Sequence, residues 1–194
     1  MSQYRVAVVG ATGAVGTKIL ELLESSPLPI AELKLLASAR SVGQRRSFRG
    51  QDIEIREAVP EQFDGVDIAF FSAGGSVSKR LVPEAVRRGA LVIDNTSAFR
   101  MDEGVPLVVP EVNMEDAYKH QGIIANPNCS TIQMVTALKP LRDRYGLEKI
   151  IVSTYQAVSG AGQQAILALQ DQTARLLKGE PVEPRILPVR SAEK

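Results

Sequence analysis

A single cysteine and a single histidine stand in a sequence of 194 residues. One thiol cannot build an intrachain disulfide framework, and it suits a reducing cytoplasm. His120 and Cys129 are the whole His/Cys inventory, which argues against a structural zinc site, and no metal is expected. A surplus of charge is missing too: 23 Lys and Arg meet 22 Asp and Glu, for a net charge of +1. That balance gives no electrostatic case for nucleic acid or for an anionic membrane. No apolar run approaches the ~20 residues of a membrane-spanning helix. The first residues, Met1-Ser2-Gln3-Tyr4-Arg5, lead straight into a strand. Repeats and low-complexity segments are absent. What remains is a globular chain, 44% apolar and 23% charged, long enough for one sizeable core or for one domain and part of another.

The lone cysteine lies in the run Asn126-Pro127-Asn128-Cys129-Ser130-Thr131. Before it, Gly122-Ile123-Ile124-Ala125 has the character of a short buried strand. After it, apolar periodicity from Thr131 predicts a helix that ends near Tyr145, with Gly146 as its stop. Cys129 is thus placed at a strand-to-helix turn, where unpaired backbone N–H groups favour an anion and so the reactive thiolate. The same groups suit the oxyanion formed when a thiolate attacks a carbonyl carbon. A lone cysteine is more often a buried, inert packing residue. Here the crowd of Asn, Pro and hydroxyl neighbours favours a nucleophile.

Tyr4-Arg5-Val6-Ala7-Val8-Val9 is nearly continuous in apolar residues, as a central parallel strand should be. It runs into Gly10-Ala11-Thr12-Gly13-Ala14-Val15-Gly16 and a helix predicted over Thr17 to Glu24. Strand, glycine-rich turn and helix in that order open a dinucleotide-binding unit, in which backbone N–H groups meet a pyrophosphate. The spacing is G-x-x-G-x-x-G, one residue longer than the usual fingerprint, and a tight turn without ligand is the competing reading. The next strand, Leu33 to Ala37, leads to Ser38-Ala39-Arg40-Ser41. An NAD enzyme places an acid near here for the ribose hydroxyls. This chain offers Arg40 and Ser41, which suit a 2′-phosphate, so NADP is expected; a solvated Arg40 is the alternative.

Phe48 to Ile55 alternates as a small edge hairpin. Val66 to Phe71 is a further buried strand and ends in Ser72-Ala73-Gly74-Gly75, placed to line the same crevice or to serve as a plain loop before a helix over Val77 to Arg88. Ala90 to Asp94 is another strand, followed by Asn95-Thr96-Ser97-Ala98-Phe99-Arg100. There Arg100 could clamp a phosphate or carboxylate, or make a surface salt bridge. Pro106 to Asn113 reads as extended, and Met114 to Gln121 as a short surface helix with His120 exposed. Lys149 to Val158 reads as a β-branched strand before Ser159-Gly160, with a helix over Gln163 to Lys178 and a Pro-rich extended tail, Glu180 to Lys194. The expected fold is α/β: a doubly wound Rossmann-like parallel sheet over residues 1–127, followed over 128–194 by the incomplete start of an α+β catalytic and dimerisation domain. One strand and one helix cannot enclose a second core. They are expected to pack on the first domain, on another subunit, or on more of a longer protein.

Five stretches, Val9 to Gly16, Ser72 to Gly75, Asp94 to Arg100, Asn126 to Thr131 and Tyr155-Gln156-Ala157-Val158-Ser159-Gly160, resemble aspartate-β-semialdehyde dehydrogenase of the bacterial type. The match runs from residue 6 into the tail, and the Asn-Cys-Ser-Thr run is its most specific part. The resemblance implies NADPH-dependent reductive dephosphorylation of β-aspartyl phosphate to aspartate semialdehyde, on the route to lysine, threonine and methionine. It implies Cys129 as the nucleophile of a thioester and Gln156 as a substrate-positioning residue. Arg100, with Asn95 and Asn128, would serve substrate and phosphate. Thr12, Gly13, Ala14, Val15, Arg40, Ser41, Ser159 and Gly160 would contact the cofactor, beside Gly10, Ser72, Ala73 and Gly74 of the two glycine turns. A cytoplasmic homodimer acting on a small molecule is implied for the whole protein. The chain resembles the first half to three-fifths of such an enzyme, and the family's acid/base histidine and carboxylate-binding arginine have no counterpart in it. A nucleotide-binding fragment or relative without turnover is the alternative. Less favoured is an N-acetyl-γ-glutamyl-phosphate reductase, which usually carries Asn-Pro-Gly-Cys-Tyr where this chain has Asn128 before the cysteine.

Overall fold

Four consecutive apolar residues decide the centre of the molecule. In β1 (Tyr4–Val9), Val6 and Val8 face one side and Ala7 and Val9 the other, and all four are fully buried. A strand buried on both faces is what a parallel sheet covered by helices requires. The structure, a computed structural model, describes residues 3–182. Most of the extended tail expected over 180–194 lies outside the described residues.

After β1 come α1 (Ala14–Ser25), β2 (Ile30–Ala37), β3 (Arg45–Phe48), β4 (Gln51–Glu57), β5 (Ile68–Phe71), α2 (Gly75–Arg87) and β6 (Leu91–Asp94). They are followed by α3 (Pro110–Asn113), β7 (Ile123–Ala125), α4 (Cys129–Tyr145) and α5 (Gln163–Leu177). The sheet order is β3-β4-β2-β1-β5-β6-β7, parallel throughout except for the β3–β4 pair. The chain winds from β1 to one side and then back to the other, so the order reverses at β1 and β5 beneath the glycine turn. Leu20 and Leu23 of α1 pack with Val6, Val8, Leu35 and Ile55. Leu81, Val82 and Ala85 of α2 pack with Ala7, Val9, Phe71 and Val92 on the opposite face. This is the doubly wound Rossmann-like architecture that the pattern of strands implies.

Two compact units divide the chain, residues 1–152 and 153–194. The first holds the whole sheet. The second holds a 3₁₀ turn, Val158–Ala161, and α5.

Several boundaries differ from expectation. α1 begins at Ala14, three residues before Thr17, because Gly13 itself is the N-cap. The hairpin is not confined to an edge: β4 pairs with β2 inside the main sheet, and only β3 lies at the rim. Pro106 to Asn113 is not extended throughout. Leu107 bridges to Ala125, then Pro110 opens the turn of α3, where its fixed φ and missing N–H do no harm. Asn113 Oδ1 accepts the Val109 N–H at 2.9 Å and closes that turn. Met114–Lys119 forms the expected short helix, of 3₁₀ type, and His120 is exposed.

The strand expected over Lys149 to Val158 does not form. Residues 149–157 are irregular and open to solvent, with Ile151 87% and Tyr155 100% exposed, and Val158 enters a 3₁₀ turn. β-branched composition favours a strand only where a neighbouring strand takes up the backbone groups.

The β3–β4 turn shows how a side chain can bind two elements. Arg49 takes φ +49° and Gly50 +77°, the left-handed pair that a two-residue hairpin loop demands. Its guanidinium donates to the carbonyls of Leu23 at 2.9 Å and Ser26 at 2.7 Å, at the end of α1 where carbonyls lack helical partners. Arg49→Ala is expected to lower stability by about 1 kcal/mol, read as a shift in urea midpoint at constant slope. An unchanged midpoint would show that this cap contributes nothing.

Candidate active site

All the parallel strands end at one edge of the sheet, and the turns there carry most of the residues singled out above. The first follows β1. Gly10 has φ +88°, and a Cβ on it would meet the Ser72 backbone at 2.9 Å. The Gly13 N–H donates to the Gly10 carbonyl at 3.0 Å, and Thr17 N–H to that of Gly13 at 2.9 Å. Gly16, one turn into α1, packs so closely on Gly10 that a Cβ would sit 2.0 Å from its carbonyl oxygen. The long spacing therefore has a physical reading. The first glycine makes the turn, the second opens the helix, and the third lets helix and turn touch. α1 has no side-chain cap and no acidic residue in its first turn, and Gly13, Ala14 and Val15 are exposed. Those first-turn N–H groups make a site for an anion.

A second such site follows β5. Ser72 donates from its amide at 2.9 Å and from Oγ at 3.1 Å to the Val9 carbonyl, so this hydroxyl braces the glycine turn. Ala73 is half-buried beside it, and Gly74, at φ +91°, is the N-cap of α2, again with no side-chain cap and no acid in the first turn. Nothing lies within 4 Å of a Cβ built on Gly74 or Gly75. At the end of β2, Arg40 is exposed on a 3₁₀ turn, Ala39–Ser41. Ser41 Oγ lies 3.4 Å from Thr12 Oγ1, which joins this turn to the glycine turn.

The ends of β6 and β7 form the other half of the edge. Arg100 is half-buried and makes no surface salt bridge among the described residues. Its Nε donates to the Asn126 carbonyl at 2.9 Å and its Nη2 to that of Asn95 at 3.2 Å. Asn126 Nδ2 donates in turn to Asn95 Oδ1. The guanidinium is therefore fixed by two loops at once. Two residues beyond Asn126, Asn128 is the N-cap of α4, its Oδ1 accepting the Ser130 N–H at 3.0 Å. Cys129 is the first residue of that helix and is exposed. The helix thus starts two residues before Thr131, because the asparagine cap takes the cysteine into the first turn. The cap also claims one of the N–H groups that the sequence leaves open for an anion.

Gln156, Ser159 and Gly160 belong to the second unit, where Gln156 is exposed in irregular chain and the other two are exposed on the 3₁₀ turn. Asp94 and Asn126 lie within the motif stretches but carry no role there, and they prove central to the edge. The signal available was their position: a polar residue directly closing a run of buried strand residues must find partners there. The sole histidine stands apart, its Nδ1 accepting the Gly122 N–H at 3.0 Å. No group of three His, Cys, Asp or Glu among the described residues could hold a metal ion, and no described helix is long and apolar enough to cross a membrane.

The model of the semialdehyde dehydrogenase NAD-binding domain matches residues 5–120, and that of the semialdehyde dehydrogenase dimerisation domain matches residues 138–193. Among curated relatives, aspartate-semialdehyde dehydrogenase of Bacillus subtilis is 62% identical over 189 residues, which is 97% of this chain and 55% of that one. The Aquifex aeolicus counterpart is 55% identical over 180 residues, covering 91% and 53% of the two chains. The fold is similar to that of aspartate semialdehyde dehydrogenase II complexed with ASA from Vibrio cholerae, with TM-score 0.85 and 49% identity over 97% of this chain and 56% of that one. It is also similar to aspartate semialdehyde dehydrogenase with NADP from Candida albicans, with TM-score 0.65 and 30% identity over 75% and 48% of the two chains. The chain spans about half the length of the curated relatives it matches.

Proposed function

This chain belongs to the semialdehyde dehydrogenase family, and from that premise we propose that it supplies the cofactor turns and the nucleophile of an NADP-dependent aspartate-semialdehyde dehydrogenase. The observation that carries the reading is the place of Cys129: exposed, first in α4, on the same sheet edge as two uncapped, glycine-opened helix N-termini. A nucleophile and an anion-binding cradle on one edge suit attack on a small phosphorylated carbonyl compound beside a dinucleotide.

The residues present fit such a cofactor. Backbone N–H groups at the start of α1 and α2 are uncovered by side chains, and Gly10 and Gly74 leave no Cβ in the way. Arg40, with Ser41 and Thr12, offers charge and hydroxyls to a 2′-phosphate. NADPH, when bound, supplies hydride. The protein's own chemistry precedes that. The Cys129 thiolate attacks the carbonyl carbon of β-aspartyl phosphate, the bond from that carbon to the phosphate oxygen breaks, and inorganic phosphate leaves with the electron pair. A thioester on Sγ remains. Arg100, held by the Asn95 and Asn126 carbonyls, would present Nη1 to the phosphate. Asn128 would orient the cysteine through the start of the helix. As the resemblance implies, Gln156 would serve the substrate, and Ser159 and Gly160 the cofactor. His120 is assigned no proton transfer. The product would feed amino-acid biosynthesis in the cytoplasm, with a homodimer as the working form.

Mixing this chain with β-aspartyl phosphate tests the nucleophile directly. The expected result is one phosphate released per chain and a thioester adduct on Cys129 in the intact mass; neither appearing would defeat the proposal. Cofactor preference has its own test. Arg40→Ala is expected to weaken NADPH binding about tenfold, the scale of one charge-assisted contact, and to leave NADH binding nearly unchanged. Equal losses in a fluorescence titration would refute the 2′-phosphate role.

A further inference from the structure

Asp94 closes β6 and is fully buried, yet it lies within reach of no solvent and therefore of no ligand. Its surroundings are specific. Oδ1 accepts the hydroxyl of Ser78 at 3.0 Å and the backbone N–H of Thr96 at 3.0 Å, and Oδ2 accepts the Thr96 hydroxyl at 2.8 Å. Thr96 Oγ1 accepts the Ala98 N–H at 3.1 Å, which carries the network one step along the turn. The Asp94 backbone carbonyl accepts the Asn126 N–H at 2.8 Å. Ser78, also fully buried, sits in the first turn of α2, its N–H donating to the Gly74 carbonyl at 3.1 Å.

We propose that Asp94 is a positioning residue that ties the Ser72–Gly75 turn to the Asn95–Arg100 turn. Its Ser78 arm sets the start of α2 and its Thr96 arm the Arg100 turn, while its main chain holds Asn126, the first residue of the nucleophile run. Three donors converge on two oxygens, a task suited to a carboxylate. An asparagine would present one acceptor oxygen, and the Thr96 hydroxyl, already accepting from Ala98, would lose the partner for its own proton. A buried carboxylate costs desolvation that an apolar residue would not. What it adds here is direction, since each hydrogen bond fixes a different loop on one rigid strand end. The negative charge also lies beside the positive end of α2.

This inference rests on the proposed function for the identity of the two ligands, but not for the tie itself. The experiment uses this chain and three variants, Asp94→Asn, Ser78→Ala and Thr96→Val, with amide hydrogen exchange followed in each, beside titrations with NADPH and inorganic phosphate. Asp94→Asn is expected to speed exchange at both turns by about tenfold with β1, β2 and β5 as protected as before. Ser78→Ala should loosen only residues 72–78, and Thr96→Val only residues 95–100. Affinity should follow the same division: about tenfold weaker NADPH binding for the Ser78 variant, phosphate for the Thr96 variant, both for the Asp94 variant. Exchange unchanged at both turns, or rising equally through the central strands, overturns the proposal in favour of inertness or a purely global role. Should Asp94→Asn fail to fold, the two single-arm variants decide, and an effect of either on both turns equally also overturns it. A wild-type chain that binds neither ligand removes the proposed function, while the exchange pattern still decides the tie.

Discussion

Gly16→Ala is expected to destabilise the chain by about 3 kcal/mol or more, the upper end of overpacking costs. The sign is the opposite of what helix propensity predicts, since alanine is favoured over glycine within a helix by ~1 kcal/mol. Geometry reverses it. A Cβ at Gly16 would lie 2.0 Å from the Gly10 carbonyl oxygen and 2.8 Å from its carbonyl carbon. Both are backbone atoms, and Gly10 cannot retreat because the Ser72 backbone stands against its other side. α1 would have to lift from the turn, taking Leu20 and Leu23 out of their packing with Val6 and Val8. A domain stable by roughly 5–15 kcal/mol would lose a large share of that. Urea unfolding measures it, with Gly75→Ala as the control: open space surrounds that position, and its cost should stay within about 0.5 kcal/mol. Wild-type stability in the Gly16 variant would show that the close approach is not maintained.

Cys129→Ser separates chemistry from folding in the other direction. Under the proposed reaction it should reduce NADPH-dependent turnover by roughly 10⁴-fold or more, the scale on which removal of a covalent nucleophile acts, in a full-length protein that carries this sequence. The hydroxyl is a far weaker nucleophile than a thiolate, and no general base on the described sheet edge is assigned to activate it. Stability should hardly change, because Cys129 is exposed and the Asn128 cap accepts from the Ser130 N–H. Retained turnover would remove Cys129 from the mechanism. Lost turnover together with a lowered unfolding midpoint would point instead to a structural role.

The legible parts of this fold are those where one physical requirement dominates. β1 has four consecutive residues buried on both faces, and β5 and β6 are short runs with no exposed residue, which a covered parallel sheet accommodates. The glycine turn was legible as a turn, but the contact of Gly16 with Gly10 lies in three dimensions and sequence spacing only hints at it. Cys129 was placed at a helix start by its neighbours, and the asparagine cap moved that start onto the cysteine itself. Lys149 to Val158 was misread because composition speaks for a strand and says nothing of a partner. Asp94 and Asn126 were hidden for a related reason. Their importance comes from loops that are distant in sequence and converge on them, and a single polar letter at a strand end carries no record of that.

The strand order has a consequence for how the chain is made. β1 is made before β2 and β5 and ends up between them. Its second neighbour, with Val6 paired to Ile68, is about sixty residues away along the chain. At the usual pace of a ribosome that gap amounts to several seconds. Throughout that interval a strand with four fully buried residues has one neighbour at most and an uncovered face. Parallel pairings that close such long loops are slow to form. The nascent chain should therefore be a client for holding factors until residue 71 has emerged, and the central strand should be among the last to become protected.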